Sequence, residues 1–266
     1  MSMKTIAQQP IGIFDSGIGG TSIWKEIHQL LPQEHTIYLS DSKNAPYGQK
    51  STKEIIDLSI KNTKFLIENG AKIIVVACNT ATTNAIEYLR SNYKIPFIGI
   101  EPAIKPASLN TQTGTIGILA TKGTLNSALF EKTTSSLNDE INIIEQVGEG
   151  LVELIENGKI HSDEMTFLLK KYITPMLEKK CDYIVLGCTH YPYLLPQIQK
   201  ITGKKVKIID SGEAVAKQVK NILTQQNLLN LSNEIPNNTF YINKDKSVLE
   251  VMLKNYENSK ISFLDF

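Results

Sequence analysis

Short apolar runs rich in Ile and Val recur along the chain, and longer stretches with helical spacing separate most of them. The runs are residues 11–14, 36–39, 73–77, 96–100, 115–119, 141–147, 183–186 and 206–209. They are continuously apolar rather than alternating, which is typical of strands buried on both faces of a sheet. The pattern therefore predicts an α/β protein with mainly parallel sheets.

Two further segments complete the outline. Residues 51–69 place their apolar side chains mostly on one helical stripe, and Gly70 is expected to end that helix. Residues 227–238 are rich in Asn and predict an exposed loop before a final strand near 239–242.

The two halves of the chain resemble each other at three segments that recur in the same order. Residues 11–14 match 116–119, residues 75–80 match 184–190, and residues 209–212 repeat the pattern of 14–17. This internal similarity predicts two pseudo-symmetric α/β domains with an active site in the cleft between them. Pro102 and Gly212 follow strands and are candidate hinges.

The hinges define a domain division. The first predicted domain comprises residues 1–101 and 212–266, with the C-terminal segment returning to it. The second comprises residues 102–211. From the repeat alone, the C-terminal residues could equally extend the second domain.

Composition narrows the partners. Among 266 residues, 28 Lys and Arg oppose 27 Asp and Glu, and 41% are hydrophobic. A net charge of +1 gives no broad electrostatic footprint for nucleic acid or an anionic membrane, so a small-molecule partner is expected. The apolar runs are far shorter than the roughly 18 residues of a membrane span, which predicts a soluble protein. Three cysteines, an odd number, predict reduced thiols and a cytoplasmic location.

Cys78 and Cys188 occupy equivalent places in the repeat, each after a buried strand and before a predicted helix. A helix N-terminus lowers the pKa of a thiol, so thiolate is expected near neutral pH. A single Cys there would more often be inert, but pseudo-symmetry brings the two face to face. A metal site is disfavoured because only His190 is near either thiol. Two acid/base groups on opposite faces of one carbon predict stereoinversion. Cys181 is assigned to packing or to the surface.

Polar residues follow the same strands. Residues 15–20, which read Asp-Ser-Gly-Ile-Gly-Gly, predict a loop whose N–H groups could hold an anion such as a carboxylate. His190 could exchange protons near neutral pH. Asp15 could instead be a helix cap, and Asp41 part of a surface turn.

These residues resemble one family closely. Residues 12–20, 41–48, 77–80, 186–192 and 209–213 carry the motifs GIFDSGIGG, DSKNAPYG, ACNT, LGCTHYP and IDSGE. Over almost its whole length the sequence resembles the glutamate racemases of the aspartate/glutamate racemase family. The resemblance implies a cofactor-independent isomerase that supplies D-glutamate for peptidoglycan and cell-wall synthesis.

The resemblance also implies site residues. Cys78 and Cys188 would be the acid/base pair, with Cys78 acting on the D enantiomer and Cys188 on the L enantiomer, and Asp15 and His190 are included among the catalytic residues. Substrate contacts are expected from Asp15, Ser16, Tyr47, Gly48, Asn79, Thr80, Thr189 and His190. Asp41 and Glu156 are the auxiliary carboxylates, with Glu153 as a competitor for Glu156.

The alternatives are an aspartate racemase, whose substrate is one methylene shorter, and a non-catalytic amino-acid-binding or regulatory protein on the same fold. No metal and no cofactor are expected. The expected partner is L- or D-glutamate, and neither nucleic acid nor a membrane is expected to bind. A homodimer is a further possibility.

Overall fold

The computed structural model describes residues 6–138 and 140–266, so residues 1–5 of the first predicted domain and Asp139 of the second lie outside it. Two parallel sheets organise the described chain. The strands are β1 (Ile11–Asp15), β2 (Thr36–Ser40), β3 (Ile73–Val76), β4 (Phe97–Gly99), β5 (Thr115–Ala120), β6 (Asn142–Val147), β7 (Tyr183–Gly187), β8 (Lys207–Ile209), β9 (Asn238–Ile242) and β10 (Ser259–Phe263). One sheet has the order β10-β9-β2-β1-β3-β4, and the other β6-β5-β7-β8.

Helices connect most of these strands. They are α1 (Thr21–Leu30), α2 (Thr52–Glu68), α3 (Asn79–Asn92), α4 (Ile104–Asn110), α5 (Lys122–Leu125), α6 (Ala128–Ser135), α7 (Leu151–Glu156), α8 (Asp163–Glu178), α9 (Leu195–Thr202), α10 (Gly212–Gln225) and α11 (Ser247–Leu253). Short 3-10 turns occupy Ile6–Gln8, Ser42–Asn44, Tyr47–Gln49, Tyr191–Leu194 and Gly203–Lys205. Among the described helices, none is long and apolar enough to cross a membrane.

The six-stranded sheet is covered on both faces at its centre. Ile13 and Val75 point to one side, into a cluster that contains Trp24 of α1. Phe14 and Val76 point to the other side, into the cluster under α2 and α3. Two buried faces explain the continuously apolar runs, and the predicted α/β class with parallel sheets is confirmed.

The edges of the sheets depart from that rule. β6, β8 and β10 lie at edges and are only partly buried. The prediction that 239–242 is the final strand is wrong, because β10 follows it. The β10 sequence, SKISF, contains three polar residues among five, so it lacks the continuous apolar signal of the central strands.

The clearest predicted helix, 51–69, is confirmed as α2. The Ser51 side chain caps it by accepting a hydrogen bond from the Glu54 N–H. The Glu54 side chain in turn accepts a hydrogen bond from the Ser51 N–H. The chain leaves the helix at Asn69, and Gly70 takes a left-handed φ of 80° that suits glycine.

The C-terminal segment lies against the six-stranded sheet, where β9 pairs with β2 and α10 packs on α1. A buried ion pair ties the connecting loop down. Lys72 Nζ lies 2.5 Å from Glu34 Oε2 and donates to the Leu228 carbonyl, while Glu34 Oε1 accepts the Asn230 N–H. These contacts place the C-terminal segment against the six-stranded sheet, and the division into residues 1–101 with 212–266 and residues 102–211 stays a prediction.

We expect Lys72→Met to lower the free energy of unfolding by about 3 kcal/mol or more, because it leaves Glu34 as an uncompensated buried anion. Urea denaturation followed by circular dichroism measures the loss. Lys43→Met is the control, since its pair with Asp265 is exposed and its removal should change little. Equal effects of the two substitutions would contradict this account.

Candidate active site

A narrow cavity lies where the carboxyl ends of the two sheets face each other. Nine of the predicted site residues line it, namely Ser16, Tyr47, Gly48, Cys78, Asn79, Thr80, Cys188, Thr189 and His190. Pro46, Thr121, Val152 and Gly187 complete the wall. Asp15, Asp41 and Glu156 lie behind the wall and hydrogen-bond to residues that form it or lie next to it.

Cys78 lies two residues after β3 and is the N-cap of α3. Its sulfur accepts the Ala81 N–H at 3.4 Å and lies 3.7 Å from Ser16 Oγ. Burial raises the pKa of the Cys78 thiol far above its ordinary value, and the nearby charge of Asp15 adds to the rise. The expectation that the helix N-terminus lowers this pKa is therefore wrong for the structure described, because burial outweighs the bond from Ala81.

Cys188 follows β7, but a 3-10 turn at Tyr191–Leu194, rather than an α-helix, comes next. The Tyr191 N–H donates to the Cys188 carbonyl. The sulfur lies 3.7 Å from His190 Nδ1. The two equivalent thiols thus have different neighbours, a hydroxyl and a backbone N–H beside Cys78 and an imidazole beside Cys188.

His190 is paired with Glu156 in a buried contact, with 2.6 Å between Nε2 and Oε1. Burial lowers the pKa of His190, but Cys188 and the carboxylate of Glu156 outweigh it and hold that pKa well above the usual value. The Gly19 N–H also lies 3.2 Å from Nε2. A nitrogen that donates to Glu156 cannot accept from Gly19, and the shorter, charge-assisted contact decides for Glu156.

Glu156 and its competitor Glu153 occupy different places. Glu156 is buried against His190, whereas Glu153 Oε1 accepts a bond from Gln49 Nε2 on the exposed side. Gln49 and Glu153 both line a wider space of about 700 Å³ outside the cavity. The geometry favours Glu156 as the auxiliary carboxylate.

The loop of residues 15–20 was predicted to offer its N–H groups to a bound anion. Instead, the Gly17 and Gly20 N–H groups donate to Asp15 Oδ2, and the Ile18 N–H donates to Glu156. This expectation is therefore wrong for these three groups, because the protein's own carboxylates occupy them. Thr189 Oγ1 donates to the other oxygen, Asp15 Oδ1, at 3.3 Å.

Asp41 is buried and acts on the cavity through Tyr47, whose hydroxyl donates to Asp41 Oδ2 at 2.6 Å. Asn44 and Asn243 donate to the other oxygen, and Lys61 lies 3.6 Å away. Asp41 is thus no surface turn residue but a fixed acceptor that orients Tyr47.

The sequence missed several residues around the cavity. Thr121 Oγ1 lies 2.8 Å from Thr80 Oγ1, and its position after β5 in the internal repeat could have indicated it. Ser42 donates to Glu156, and nothing in the sequence distinguished it from a turn residue. Asn79 Oδ1 is buried without a hydrogen-bond partner in the described chain, which leaves an acceptor at the cavity wall.

Cys181, the third thiol, is buried in the hydrophobic core and does not line the cavity. Burial raises its pKa to about 11. The assignment to packing agrees with this position. In the described part of the chain, no group of three or more His, Cys, Asp or Glu side chains is arranged to hold a metal ion.

The structure defines an α/β protein in which two thiols, one from each parallel sheet, line a shared cavity. Known protein families can be compared with this arrangement. The model of the Asp/Glu/hydantoin racemase family matches residues 11–219. That match covers well over half of the chain, so the chain belongs to this family of amino-acid racemases, and its similarity to the relatives below places it among the glutamate racemases.

One curated relative is the glutamate racemase of Herpetosiphon aurantiacus, 45% identical over 222 residues that cover 84% of this chain and 87% of the relative. A glutamate racemase isoform of Bacillus anthracis has a solved structure with a TM-score of 0.86 at 30% identity, covering 98% of both chains. The glutamate racemase of Francisella tularensis, solved in complex with D-glutamate, has a TM-score of 0.84 at 31% identity over 97% of this chain and 98% of that one.

Asp15 makes stability depend on pH. Burial raises its pKa from 3.8 to about 6, against the opposing effects of His190 and the Gly20 N–H. Because the native state then binds a proton more tightly than the unfolded chain, this stabilisation is fully present below about pH 3.8 and is lost as pH rises through about 6.

We expect Asp15→Asn to remove this dependence. Between pH 4 and pH 7, the free energy of unfolding of the variant should rise by about 2 kcal/mol relative to that of the wild type. Urea denaturation at several pH values measures the difference, with the exposed Asp57→Asn as the control. Parallel pH curves for wild type and Asp15→Asn would contradict the raised pKa.

Proposed function

We propose that this chain interconverts L- and D-glutamate by two-base proton transfer between Cys78 and Cys188. The observation that carries the proposal is the position of the two thiols, which come from different sheets and line one cavity. A substrate α-carbon between the two sulfurs would expose one face to each.

The reaction needs one thiolate and one thiol, so the pair of sulfurs carries a single proton before the first transfer. The thiolate on one side takes the α-proton, so that the Cα–H bond breaks, an S–H bond forms and the electron pair is left on the substrate. The thiol on the other side then gives its proton to the opposite face. The two cysteines have exchanged protonation states, so the reverse reaction starts from the mirror arrangement. By resemblance, Cys78 acts on D-glutamate and Cys188 on L-glutamate.

Burial opposes ionisation of Cys78, so the substrate itself must help. The α-ammonium group of glutamate brings a positive charge between the sulfurs, and an opposite charge nearby lowers the pKa of a thiol. Hydrogen-bond donors oriented around the α-carboxylate stabilise the negative charge that develops in a site without water. Bound substrate thus favours the thiolate form of Cys78.

Substrate is held by polar groups of the cavity wall. Hydroxyls of Ser16, Thr80 and Thr189 and the amide of Asn79 line the space and suit carboxylate and ammonium groups. Tyr47 and Gly48 form another part of the wall. Bound D-glutamate in the Francisella tularensis relative supports this choice of substrate.

The charged residues behind the wall assist each thiol. His190 exchanges protons with Cys188, from which its Nδ1 is 3.7 Å away, and Glu156 keeps the imidazole charged. Asp15 lies near Cys78 and serves that side of the cavity. Asp41 acts through Tyr47 and does not touch the substrate.

The biological setting follows from the family. D-glutamate made in this way supplies peptidoglycan synthesis, and the three free thiols support a cytoplasmic location. An aspartate racemase remains the alternative activity, since one methylene gives only about 1–3 kcal/mol of discrimination. A homodimer is part of the proposal as well.

We expect proton NMR in D₂O to show loss of the α-proton signal and racemisation with L-glutamate, and neither with L-aspartate. Cys78→Ala and Cys188→Ala should each lower racemisation by about a hundredfold or more, because one face loses its acid/base group. Cys181→Ala is the matched control, a buried thiol outside the cavity, and should retain activity.

Other outcomes would redirect the assignment. Turnover of aspartate alone would make the chain an aspartate racemase. No exchange with either amino acid, in a protein whose circular dichroism is that of a folded chain, would leave an amino-acid-binding protein. Full activity in Cys188→Ala would overturn the two-base proposal.

A further inference from the structure

Glu156 lies on a helix of the four-stranded sheet, but its carboxylate accepts hydrogen bonds from loops of the six-stranded sheet. It ends α7, which lies in the segment between β6 and β7 of the four-stranded sheet. Its Oε1 accepts the Ile18 N–H at 2.7 Å, from the loop after β1, and its Oε2 accepts the Ser42 hydroxyl at 2.7 Å, from the turn after β2. His190 is the third donor, at 2.6 Å.

The loop after β1 packs closely against Glu156 and His190 because it has glycines at the points of contact. A Cβ atom at position 17 would overlap the carboxylate of Glu156, and one at position 19 would overlap the His190 ring. Tyr38 fixes the same loop by donating its hydroxyl to the Gly17 carbonyl at 2.8 Å. The loop therefore offers a fixed surface against which Glu156 and His190 pack.

Ser42 is the side-chain donor from the six-stranded side that reaches the carboxylate. It is 2% exposed, and its hydroxyl also lies 3.1 Å from that of Ser40. With Ser42 bound at Oε2, the other oxygen is directed to Ile18 and His190. A buried carboxylate with donors at both oxygens keeps one orientation.

We propose that Ser42 is a positioning residue for the racemase reaction, which acts through Glu156 to hold the His190 imidazole directed at Cys188. The inference rests on the proposed function of Cys188. The contact spans the two sheets, because Ser42 and Ile18 lie on the six-stranded side and Glu156 on the four-stranded side.

Loss of the Ser42 hydroxyl leaves the carboxylate with two of its three donors. Without a donor at Oε2 the carboxylate is no longer fixed in one orientation, so the Oε1–Nε2 contact that raises the pKa of His190 weakens and that pKa falls toward its ordinary value. The other titratable groups that face the pair are unchanged by substitution at Ser42, and these are Asp15 after β1, Tyr38 on β2 and Cys188 after β7.

The test compares Ser42→Ala with Ser42→Thr, which keeps the hydroxyl, and with Ser59→Ala, which removes an equally buried hydroxyl bonded only within α2. We expect Ser42→Ala to lower kcat/KM for glutamate about tenfold, the effect of one charge-assisted hydrogen bond. The loss is equal from L- and D-glutamate, because the two enantiomers have the same free energy. Ser42→Thr should restore activity, and Ser59→Ala should keep it.

Two readouts separate positioning from a general structural effect. Imidazole ¹⁵N NMR resolves four histidines, and the titration of His190 alone should move to lower pH in Ser42→Ala, with the exposed-side His161 unchanged. Alkylation of Cys188 by iodoacetamide, followed by mass spectrometry, should slow at neutral pH relative to the same site in the wild type.

A double-mutant cycle completes the test. In a Glu156→Gln background, Ser42→Ala should have no further effect on kcat/KM, since its target has lost its charge. An unchanged His190 titration in Ser42→Ala, or additive losses of kcat/KM in the cycle, would overturn the inference about Ser42. The proposed function would still stand in that case, provided that the wild type racemises glutamate. Full activity of Cys188→Ala would instead mean that the proposed function itself has failed.

Discussion

The pairing of Glu156 with His190 is the interaction on which the cleft depends. Neither side chain is exposed enough for water to satisfy it, and a buried charge without partners would cost several kcal/mol. The carboxylate therefore needs donors from both sheets, Ile18 and Ser42 on one side and His190 on the other. The same bonds that satisfy the charge bring the carboxyl ends of the two sheets together and place an imidazole beside Cys188.

A second buried carboxylate, that of Asp15, also accepts hydrogen bonds from both sheets. Asp15 draws the Gly17 and Gly20 N–H groups around itself and receives the Thr189 hydroxyl from the other sheet. The cost is visible in its raised pKa, which means that the native chain is less stable with Asp15 charged. Burial of this kind is typical of sites that are organised for chemistry rather than for maximal stability.

The two thiols resemble each other in sequence more than in their surroundings. Cys78 caps a helix of fourteen residues, while Cys188 precedes a 3-10 turn and is next to an imidazole. Pseudo-symmetry thus extends to the strands and to the position of sulfur at their ends, but not to the groups that control each proton. A substrate cation between the sulfurs would compensate for the burial of Cys78, and His190 would assist Cys188.

The sequence by itself determined the α/β class and the central strands, because strands buried on both faces must be continuously apolar, as Ile73–Val76 is. It also determined the pairing of Cys78 with Cys188, since an internal repeat places equivalent residues at equivalent strand ends. The sequence did not predict β10, because an edge strand carries a weaker pattern of apolar residues. Only the tertiary structure buried Glu156 against His190 and left Glu153 on the exposed side, gave Ser42 a partner 114 residues away, and assigned the loop N–H groups to Asp15 and Glu156. Those outcomes depend on which side chains meet across two sheets, and contacts between distant segments leave no local pattern in the chain.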